Sequence, residues 1–298
     1  MSDAIVIETV SKSFGRKKAL QGLSLRIPQG MFGLLGRNGA GKTTLMRTIA
    51  TLLAKEEGTL TVCGVPVERA REVRKLIGYL PQDFNMYPSM SVYDAMDYLG
   101  VLSGLDGLTR RLRIPLLLEQ VNLANQRRTK VHALSGGMKR RLGIAQALLH
   151  DPKVLIVDEP TAGLDPEERV RFRNLLSEVA QDKTVLLSTH IVGDIEAACQ
   201  NIAILDQGQL LYGGTVSGLL ERAQGAVYSA TVGQGELEVL KDRYLVTGML
   251  AQGVECIVRF LSPGHTPEFG EPIAPCVEDA YLLCLHQSGV KPRADFAE

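Results

Sequence analysis

The stretch that decides the fold reads Gly36-Arg37-Asn38-Gly39-Ala40-Gly41-Lys42-Thr43-Thr44. It matches the pattern G-x-x-x-x-G-K-[ST] at every fixed position. An apolar run at 31–35 predicts a buried strand that leads into this loop, and the apolar spacing at 45–50 predicts a helix that leads out of it. This context favours a phosphate-binding loop over the alternative, a glycine-rich turn before an ordinary helix.

The chemistry of phosphate explains the composition of the loop. Phosphate groups carry several negative charges and need many hydrogen-bond donors at close range. Glycines let the backbone curl so that its N–H groups point inward, and the following helix adds the positive end of its dipole. Lys42 can reach the β- and γ-phosphates of a nucleoside triphosphate, and the Thr43 hydroxyl can hold Mg²⁺.

The composition narrows the classes of function. The 298 residues suffice for one large domain and a small second one. Lys+Arg and Asp+Glu both number 33, so the balance of charge does not indicate a nucleic-acid partner. The five cysteines form no C-x-x-C pair, which favours free thiols in a reducing compartment over a metal site. No secretory segment is recognisable, and no apolar run approaches the ~20 residues that span a bilayer, so we expect any membrane role to come through a partner.

Two acidic residues follow a strongly apolar segment. Residues 154–157 predict a central parallel strand that is buried on both faces. Asp158 and Glu159 stand at its carboxyl end, where open α/β sheets bind ligands. Asp158 can hold Mg²⁺ through water, and Glu159 can orient and polarise an attacking water. The alternative is a strand end with two solvated acids.

Two more polar side chains follow predicted strands. The apolar strand at 184–189 leads into His190, whose neutral imidazole can donate to a γ-phosphate or hold the attacking water. The strand at 77–80 stops at Pro81-Gln82. The Gln82 amide can contact Mg²⁺ or its water, and the alternative is an ordinary surface-loop residue.

The segment before the phosphate loop carries an aromatic residue. Alternation at 4–9 and 23–27 predicts strands of an antiparallel layer. We expect residues 10–15 to form a turn that exposes Phe14. The Phe14 ring can stack on a nucleotide base, and a hydrophobic plug is the alternative.

The middle of the chain, at about 83–150, changes character. Helical apolar spacing at 91–104 and 108–122, without strand signals, predicts a helical insertion, and Pro115 predicts a helix start or break within it.

A second motif lies at the end of this insertion. Ser135 is a good helix N-cap, and Gly136 and Gly137 leave backbone N–H groups uncovered behind it. The motif is a second potential phosphate site, and a capped helix after a flexible turn is the alternative.

In this order the motifs resemble those of the nucleotide-binding subunit of an ABC (ATP-binding cassette) transporter, over residues 3 to about 222. Met138 departs from the family, which usually has Gln there. The matched features are the adenine-stacking aromatic at Phe14, the Walker A loop at 36–43, the Q-loop at Gln82, the signature motif at 134–138, the Walker B aspartate and catalytic glutamate at Asp158 and Glu159, the D-loop at 163–165 and the switch histidine at His190.

The resemblance implies an ATPase that uses ATP and Mg²⁺, with Glu159, His190 and Lys42 in catalysis. It implies metal contacts at Thr43, Gln82 and Asp158. The implied nucleotide contacts are Phe14, Gly36, Arg37, Asn38, Gly39, Ala40, Gly41, Lys42, Thr43, Thr44, Gln82, Ser135, Gly136, Gly137 and Asp165.

The resemblance also implies the fold and the partners. The expected fold is the α/β P-loop NTPase fold of an ABC ATPase, with a mixed sheet core, an antiparallel β layer and a helical insertion. Since the chain has one Walker A loop and one signature motif, a second ATPase subunit is required, most simply an identical one. Integral-membrane permease subunits would hold the chain on the cytoplasmic face of the cell membrane. The alternative function is a soluble non-transport ABC ATPase, such as an iron–sulfur cluster assembly factor.

Residues 223–298 predict a small C-terminal α+β domain for dimerisation or regulation. We expect a strand at 227–232, a helix at 236–243, a hairpin at 244–261 and an amphipathic helix at 277–287, followed by a frayed tail. The stretch 275–282 is similar to the P-x-x-E-D-x-[aromatic]-L ending of ABC-2-type exporter ATPases, which favours an export subunit.

Overall fold

The computed structural model describes residues 3–289 and divides the chain into two compact units. The first unit runs to residue 199 and includes 205–210, and the second comprises 200–204 and the chain from 211 onward. This division falls earlier in the chain than the predicted boundary after residue 222. The predicted frayed tail, 290–298, lies outside the described residues.

The first unit alternates strands with helices. Its elements are β1 (Ile5–Phe14), β2 (Lys17–Ile27), β3 (Met31–Leu35), α1 (Lys42–Ile49), β4 (Glu57–Val62), β5 (Val65–Pro66), α2 (Ala70–Leu76), β6 (Ile77–Leu80), α3 (Val92–Leu102), α4 (Gly107–Gln120), α5 (Gly136–Ala147), β7 (Val154–Asp158), α6 (Pro166–Val179), β8 (Thr184–Thr189) and α7 (Val192–Ala198).

The second unit shares two strands with the first and continues to the end of the described chain. Its elements are β9 (Asn201–Asp206), β10 (Gln209–Thr215), α8 (Val216–Ala223), β11 (Val227–Gly233), α9 (Gln234–Arg243), β12 (Leu245–Gln252), β13 (Glu255–Leu261), β14 (Glu271–Pro272) and α10 (Val277–Gln287). None of the helices found within residues 3–289 is long and apolar enough to cross a membrane.

The predicted antiparallel layer is present, with strand order β2-β1-β4-β5. The turn predicted at 10–15 is wrong, because β1 continues to Phe14. Shifts of register between Ile7 and Val10 and again before Ser13 interrupt its pairing with β2. Such bulges bend and twist a strand without ending it, and they hide the alternation by which a strand is recognised in sequence. Phe14 pairs with Lys17 across the tip of the hairpin.

The predicted central parallel strand is also present. Four parallel strands of the first unit lie in the order β3-β8-β7-β6, and every residue of β7 is buried. Parallel strands end at the same edge of a sheet. The phosphate loop, Gln82, the two acids and His190 each follow one of these strands, so the sheet brings them to one edge.

The helical insertion contains α3, α4 and α5. Asp106 caps α4 by accepting from the amides of Leu108 and Thr109, both at 2.9 Å. Pro115 lies inside α4, so the predicted start or break is wrong. A proline lacks the N–H that would bond the carbonyl of Arg111, but both residues are exposed and water can satisfy that carbonyl.

In the second unit, an antiparallel sheet has the order β12-β13-β11-β14. The predicted hairpin is confirmed as β12 paired with β13. The buried residues of this unit's core include Tyr228, Leu240 and Phe260, and the ring of Tyr244 lies 5.0 Å from that of Phe260. These aromatic rings pack with aliphatic side chains to form the apolar core of the unit.

A buried carboxylate ties the last helix to this sheet. Asp279 is only 1% exposed. It accepts from the Cys276 amide at 2.9 Å, the Thr247 hydroxyl at 2.5 Å and the Arg259 guanidinium. Burial alone would raise the pKa of Asp279, but the hydrogen bonds from Arg259, Cys276 and Thr247 outweigh it and lower that pKa. Asp279, the second acid of the 275–282 motif, therefore has a structural role.

We expect Asp279→Ala to lower the free energy of unfolding of the second unit by about 2–4 kcal/mol, because it leaves Arg259 without its buried partner and Cys276 without its cap. Hydrogen exchange of residues 245–287 measures this loss of protection.

The matched control is Glu278→Ala, which removes the exposed neighbouring acid and should change little. Because the folded pKa of Asp279 lies below its unfolded value, its stabilisation is present at neutral pH and lost as pH falls through the folded pKa. The difference between the wild type and Asp279→Ala should therefore narrow below about pH 4. A difference that persists unchanged in acid would contradict this role.

Candidate active site

A cleft of about 360 Å³ opens at the carboxyl edge of the parallel strands. It brings together side chains that are far apart in sequence. Two of its lining residues, Lys17 and Ala19, were not among the predicted site residues. The lining residues are Phe14, Lys17, Ala19, Arg37, Asn38, Gly39, Gly41, Lys42, Thr43, Thr44, Gln82 and Glu159.

The phosphate loop has the conformation that its glycines predict. Gly39 and Gly41 have φ of +84° and +107°, in the left-handed region that favours glycine. A Cβ at Gly41 would lie 2.6 Å from the Ala19 carbonyl oxygen, and one at Gly36 would lie 2.4 Å from that of Leu205. Gly41 also stands at the N-cap of α1 without a side-chain cap. The first amides of α1 are thus left for an anionic ligand.

Lys42 is the buried cation of the cleft, only 4% exposed. Its ammonium donates to the carbonyls of Gly36 at 2.6 Å and Arg37 at 3.2 Å, and it lies 3.3 Å from Oε1 of Glu159. Burial lowers the pKa of Lys42, although Glu159 and Asp158 oppose this shift. Two of its three protons are therefore committed to the loop, and the third direction faces an anion.

Glu159 lies where the other polar groups converge. It has φ of +45°, an unusual conformation for a residue with a side chain, and its amide donates to the Ser188 carbonyl at 3.1 Å. Its Oε2 atom lies 3.1 Å from Nδ1 of His190 and accepts from the Gln82 amide at 3.5 Å. The carboxylate thus contacts the three side chains predicted for the cleft from separate strands: Lys42, Gln82 and His190.

Asp158 is buried beside this group. Its Oδ1 accepts from the Ser188 hydroxyl at 2.6 Å, whereas Oδ2 has no hydrogen-bond partner among residues 3–289. A buried carboxylate oxygen without a donor is costly, and a cation relieves that cost. With the Thr43 hydroxyl in the same unit and lining the cleft, these oxygens suit the hard, oxygen-binding Mg²⁺. The signal for Ser188 is its position directly opposite Asp158 in a strand whose residues are all buried.

The signature residues do not line this cleft. Ser135 caps α5 by accepting from the Met138 amide at 3.2 Å, as predicted. A Cβ at Gly137 would lie 2.4 Å from Oε2 of Glu168, so a larger residue there requires the Glu168 side chain to move. Asp165 caps α6 by accepting from the Glu168 amide at 2.8 Å. Within the described chain, Ser135, Gly136, Gly137 and Asp165 are thus separate from the cleft-lining set.

A buried aspartate that the sequence analysis missed connects the segments that carry Glu159 and His190. Asp194, on the helix after His190, is 1% exposed. It accepts from the Thr161 hydroxyl at 2.6 Å and from Arg173 at 3.4 Å. Thr161 follows Glu159 by two residues, so this network links the backbones that carry the carboxylate and the imidazole.

Comparison with known proteins agrees with this geometry. The family model for the ABC transporter matches residues 20–162. A Nod factor export ATP-binding protein I from Paraburkholderia xenovorans (strain LB400) is 37% identical over 271 residues, which cover 88% of each chain. A protein of the same name from Cupriavidus pinatubonensis (strain JMP 134 / LMG 1197) is 37% identical and covers 86% of this chain and 81% of its own.

Solved structures of ATP-binding subunits have the same fold. One, the ATP-binding subunit of an ABC transporter, is 26% identical with a TM-score of 0.66 and covers 74% of this chain and 92% of its own. Another, cbiO1 from Clostridium perfringens, part of the ABC transporter complex cbiONQ, is 25% identical with a TM-score of 0.69 and covers 82% and 96%. By the extent of these matches and the motifs in its cleft, the chain belongs to the ABC transporter family as an ATP-binding subunit.

Proposed function

We propose that this chain hydrolyses ATP to drive export through separate transmembrane subunits, which hold it on the cytoplasmic face of the cell membrane. The observation that carries the proposal is the cleft in which the Lys42 ammonium and the Glu159 carboxylate lie 3.3 Å apart. Relatives named as export ATP-binding proteins support the direction of transport. They favour a transporter over the alternative of a soluble non-transport ABC ATPase.

The contacts of Lys42 indicate how ATP enters. A phosphate oxygen carries negative charge, as the Glu159 carboxylate does. A phosphate in the loop can also accept hydrogen bonds from the loop amides. The γ-phosphate therefore takes the place of Glu159 beside Lys42. The Phe14 ring, 49% exposed and part of the cleft wall, is too open for a hydrophobic plug and is free to stack on adenine.

When phosphate replaces the Glu159 carboxylate beside Lys42, that carboxylate is free to act as a base. Glu159, still held against His190 and Gln82, orients a water towards the γ-phosphorus and takes its proton as the water attacks. The bond from the γ-phosphorus to the bridging oxygen of ADP breaks, and the products are ADP and phosphate. His190 holds the carboxylate and the water in place.

The metal contacts would come from Thr43, Gln82 and Asp158. Asp158 offers the unpartnered Oδ2 described above, and Ser188 fixes its other oxygen. Mg²⁺ bound there would neutralise charge on the β- and γ-phosphates.

A second subunit completes the site. Ser135 and Gly136 are exposed at the start of α5, and they carry the features of a phosphate site without lining the cleft of their own chain. A head-to-tail pair of identical chains places each signature surface over the other chain's cleft, with Asp165 nearby.

The helical insertion is the proposed permease contact. It begins just after Gln82, and two exposed rings at its start, Tyr87 and Tyr98, lie 5.1 Å apart edge to face. The Arg140 guanidinium of α5 donates to the backbone carbonyl of Gln82. Movement of the signature helix would thus reach the Q-loop and the insertion together. We assign the C-terminal unit to dimerisation or regulation.

We expect Glu159→Gln to bind ATP but to lower turnover by about 10²–10⁴-fold, because the amide cannot accept the proton from water. A phosphate-release assay and nucleotide-binding measurements separate the two effects. The control change Glu196→Gln, at an exposed acid of α7, should leave both unchanged. Turnover near the wild-type rate in Glu159→Gln would refute the assignment.

We expect the Glu159→Gln chain to become a dimer on addition of ATP, since trapped nucleotide holds the two signature surfaces closed. Light scattering gives the mass. Adding Ser135→Arg to this variant should prevent the dimer while one-chain ATP binding persists, whereas adding the exposed Ser177→Arg should not. A dimer that survives Ser135→Arg would place the interface elsewhere.

We expect Phe14→Ala to weaken ATP binding about tenfold by removing a base stack, and Phe14→Tyr to retain it. Equilibrium binding of a fluorescent ATP analogue measures the change. Equal affinities for the alanine variant and the wild type would show that the ring does not contact the base.

A further inference from the structure

We propose that one face of the helical insertion binds the surface of an anionic lipid membrane directly, beside the permease. This basic–apolar face consists of the outer side of α4 and the adjoining recess formed with the start of α3 and the segment 127–130. The proposal goes beyond the transport function above and can fail without it.

The apolar part of the face is a stripe of leucines. Leu108, Leu112 and Leu116 recur every four residues along α4 and are 69%, 61% and 64% exposed. Residues four apart lie on the same side of a helix. The buried side of α4 carries Ile114, Leu117 and Leu118 instead, so the helix is apolar on two faces. One face packs in the core, and the other is left for a partner.

The charged part of the face has cations without partners. A recess of about 660 Å³ brings Pro115 of α4 together with Arg127, Arg128 and Lys130. These three side chains are exposed, and none of them forms an ion pair within residues 3–289. Pro115 lies one position before Leu116, so the recess adjoins the leucine stripe.

The arginines of α4 differ in whether they form an ion pair. Arg110 is paired with Asp97 at 2.8 Å and Arg113 with Asp151 at 3.4 Å, so both are used inside the first unit. Arg111, one turn from Pro115 on the exposed face, is unpaired among the described residues. It adds a fourth free cation next to Leu108 and Leu112.

The backbone holds these cations in place. The Tyr93 amide donates to the Arg127 carbonyl at 3.0 Å, and the Val92 amide donates to the Thr129 carbonyl at 3.0 Å. The segment is therefore fixed to the start of α3. Three acids lie near the face. Asp94 accepts from the Ser91 hydroxyl at 2.6 Å as part of the cap of α3, Asp106 caps α4 by accepting from the Leu108 amide at 2.9 Å, and Glu119 lies further along α4.

The cations and the exposed leucines of the basic–apolar face together indicate what binds it. A chain whose net charge is zero has concentrated four unpaired cations beside three exposed leucines. Leucines that enter the headgroup region and cations that contact lipid phosphates are the two features of proteins that lie on anionic bilayers. Tyr93 also lines the recess beside the cations.

The test is co-sedimentation of the full chain with vesicles. We expect binding to vesicles of equal parts phosphatidylglycerol and phosphatidylcholine at low ionic strength, release at high ionic strength, and no binding to phosphatidylcholine alone. Arg127→Gln with Arg128→Gln should weaken binding about fivefold per charge, or roughly 25-fold together. Leu112→Ser with Leu116→Ser should weaken it several-fold at low ionic strength.

Matched controls remove the same chemistry elsewhere. Arg71→Gln with Lys75→Gln loses two exposed cations from α2, and Leu52→Ser loses one exposed leucine. Both should bind as the wild type does. ATPase activity without vesicles should be unchanged in every variant, which confirms folding and separates this proposal from the catalytic one.

Two outcomes would overturn the proposal. In one, the wild-type chain stays in the supernatant with anionic vesicles, or the α2 control loses as much affinity as the recess variant. In the other, the recess variant loses association only with membranes that contain the permease, which would assign the face to an acidic segment of a protein partner instead.

Discussion

A buried ammonium must have an anion beside it, and the active site depends on how Lys42 meets this requirement. Glu159 supplies the anion, with Oε1 at 3.3 Å from the Lys42 ammonium. In the mechanism proposed above, a phosphate that takes the place of Glu159 beside Lys42 restores the balance of charge and releases that carboxylate to act as the base. In that mechanism, Glu159 stays paired with Lys42 until the phosphate arrives, and the arriving phosphate frees it.

The same carboxylate joins elements that lie far apart in sequence. Glu159 contacts Gln82 and His190, so a displacement of its carboxylate changes the contacts of side chains at the ends of two other strands. Gln82 is in turn held by Arg140 on the helix that begins at the signature motif. Asp194 ties the segment after Glu159 to the helix after His190. These contacts connect the phosphate loop to the helical insertion.

The sequence predicted most of the site because its motifs are local. The loop at 36–44 is recognisable from its glycines and Lys-Thr pair, and buried strands are recognisable as apolar runs. The features that were missed depend on tertiary contact. The bulged continuation of β1 to Phe14 breaks the period of a strand, and an exposed Pro115 is tolerated where water replaces a helical bond. Ser188 and Asp194 have meaning only through partners about thirty residues distant.

The position of Asp279 has a consequence for the order in which the protein is made. All residues that line the cleft precede His190, whereas Thr247 and Arg259 receive their carboxylate from the last described helix. Chains fold from the amino terminus as they leave the ribosome. The residues that line the cleft are therefore synthesised first, while the C-terminal unit can close only after its last described helix, α10, has been made.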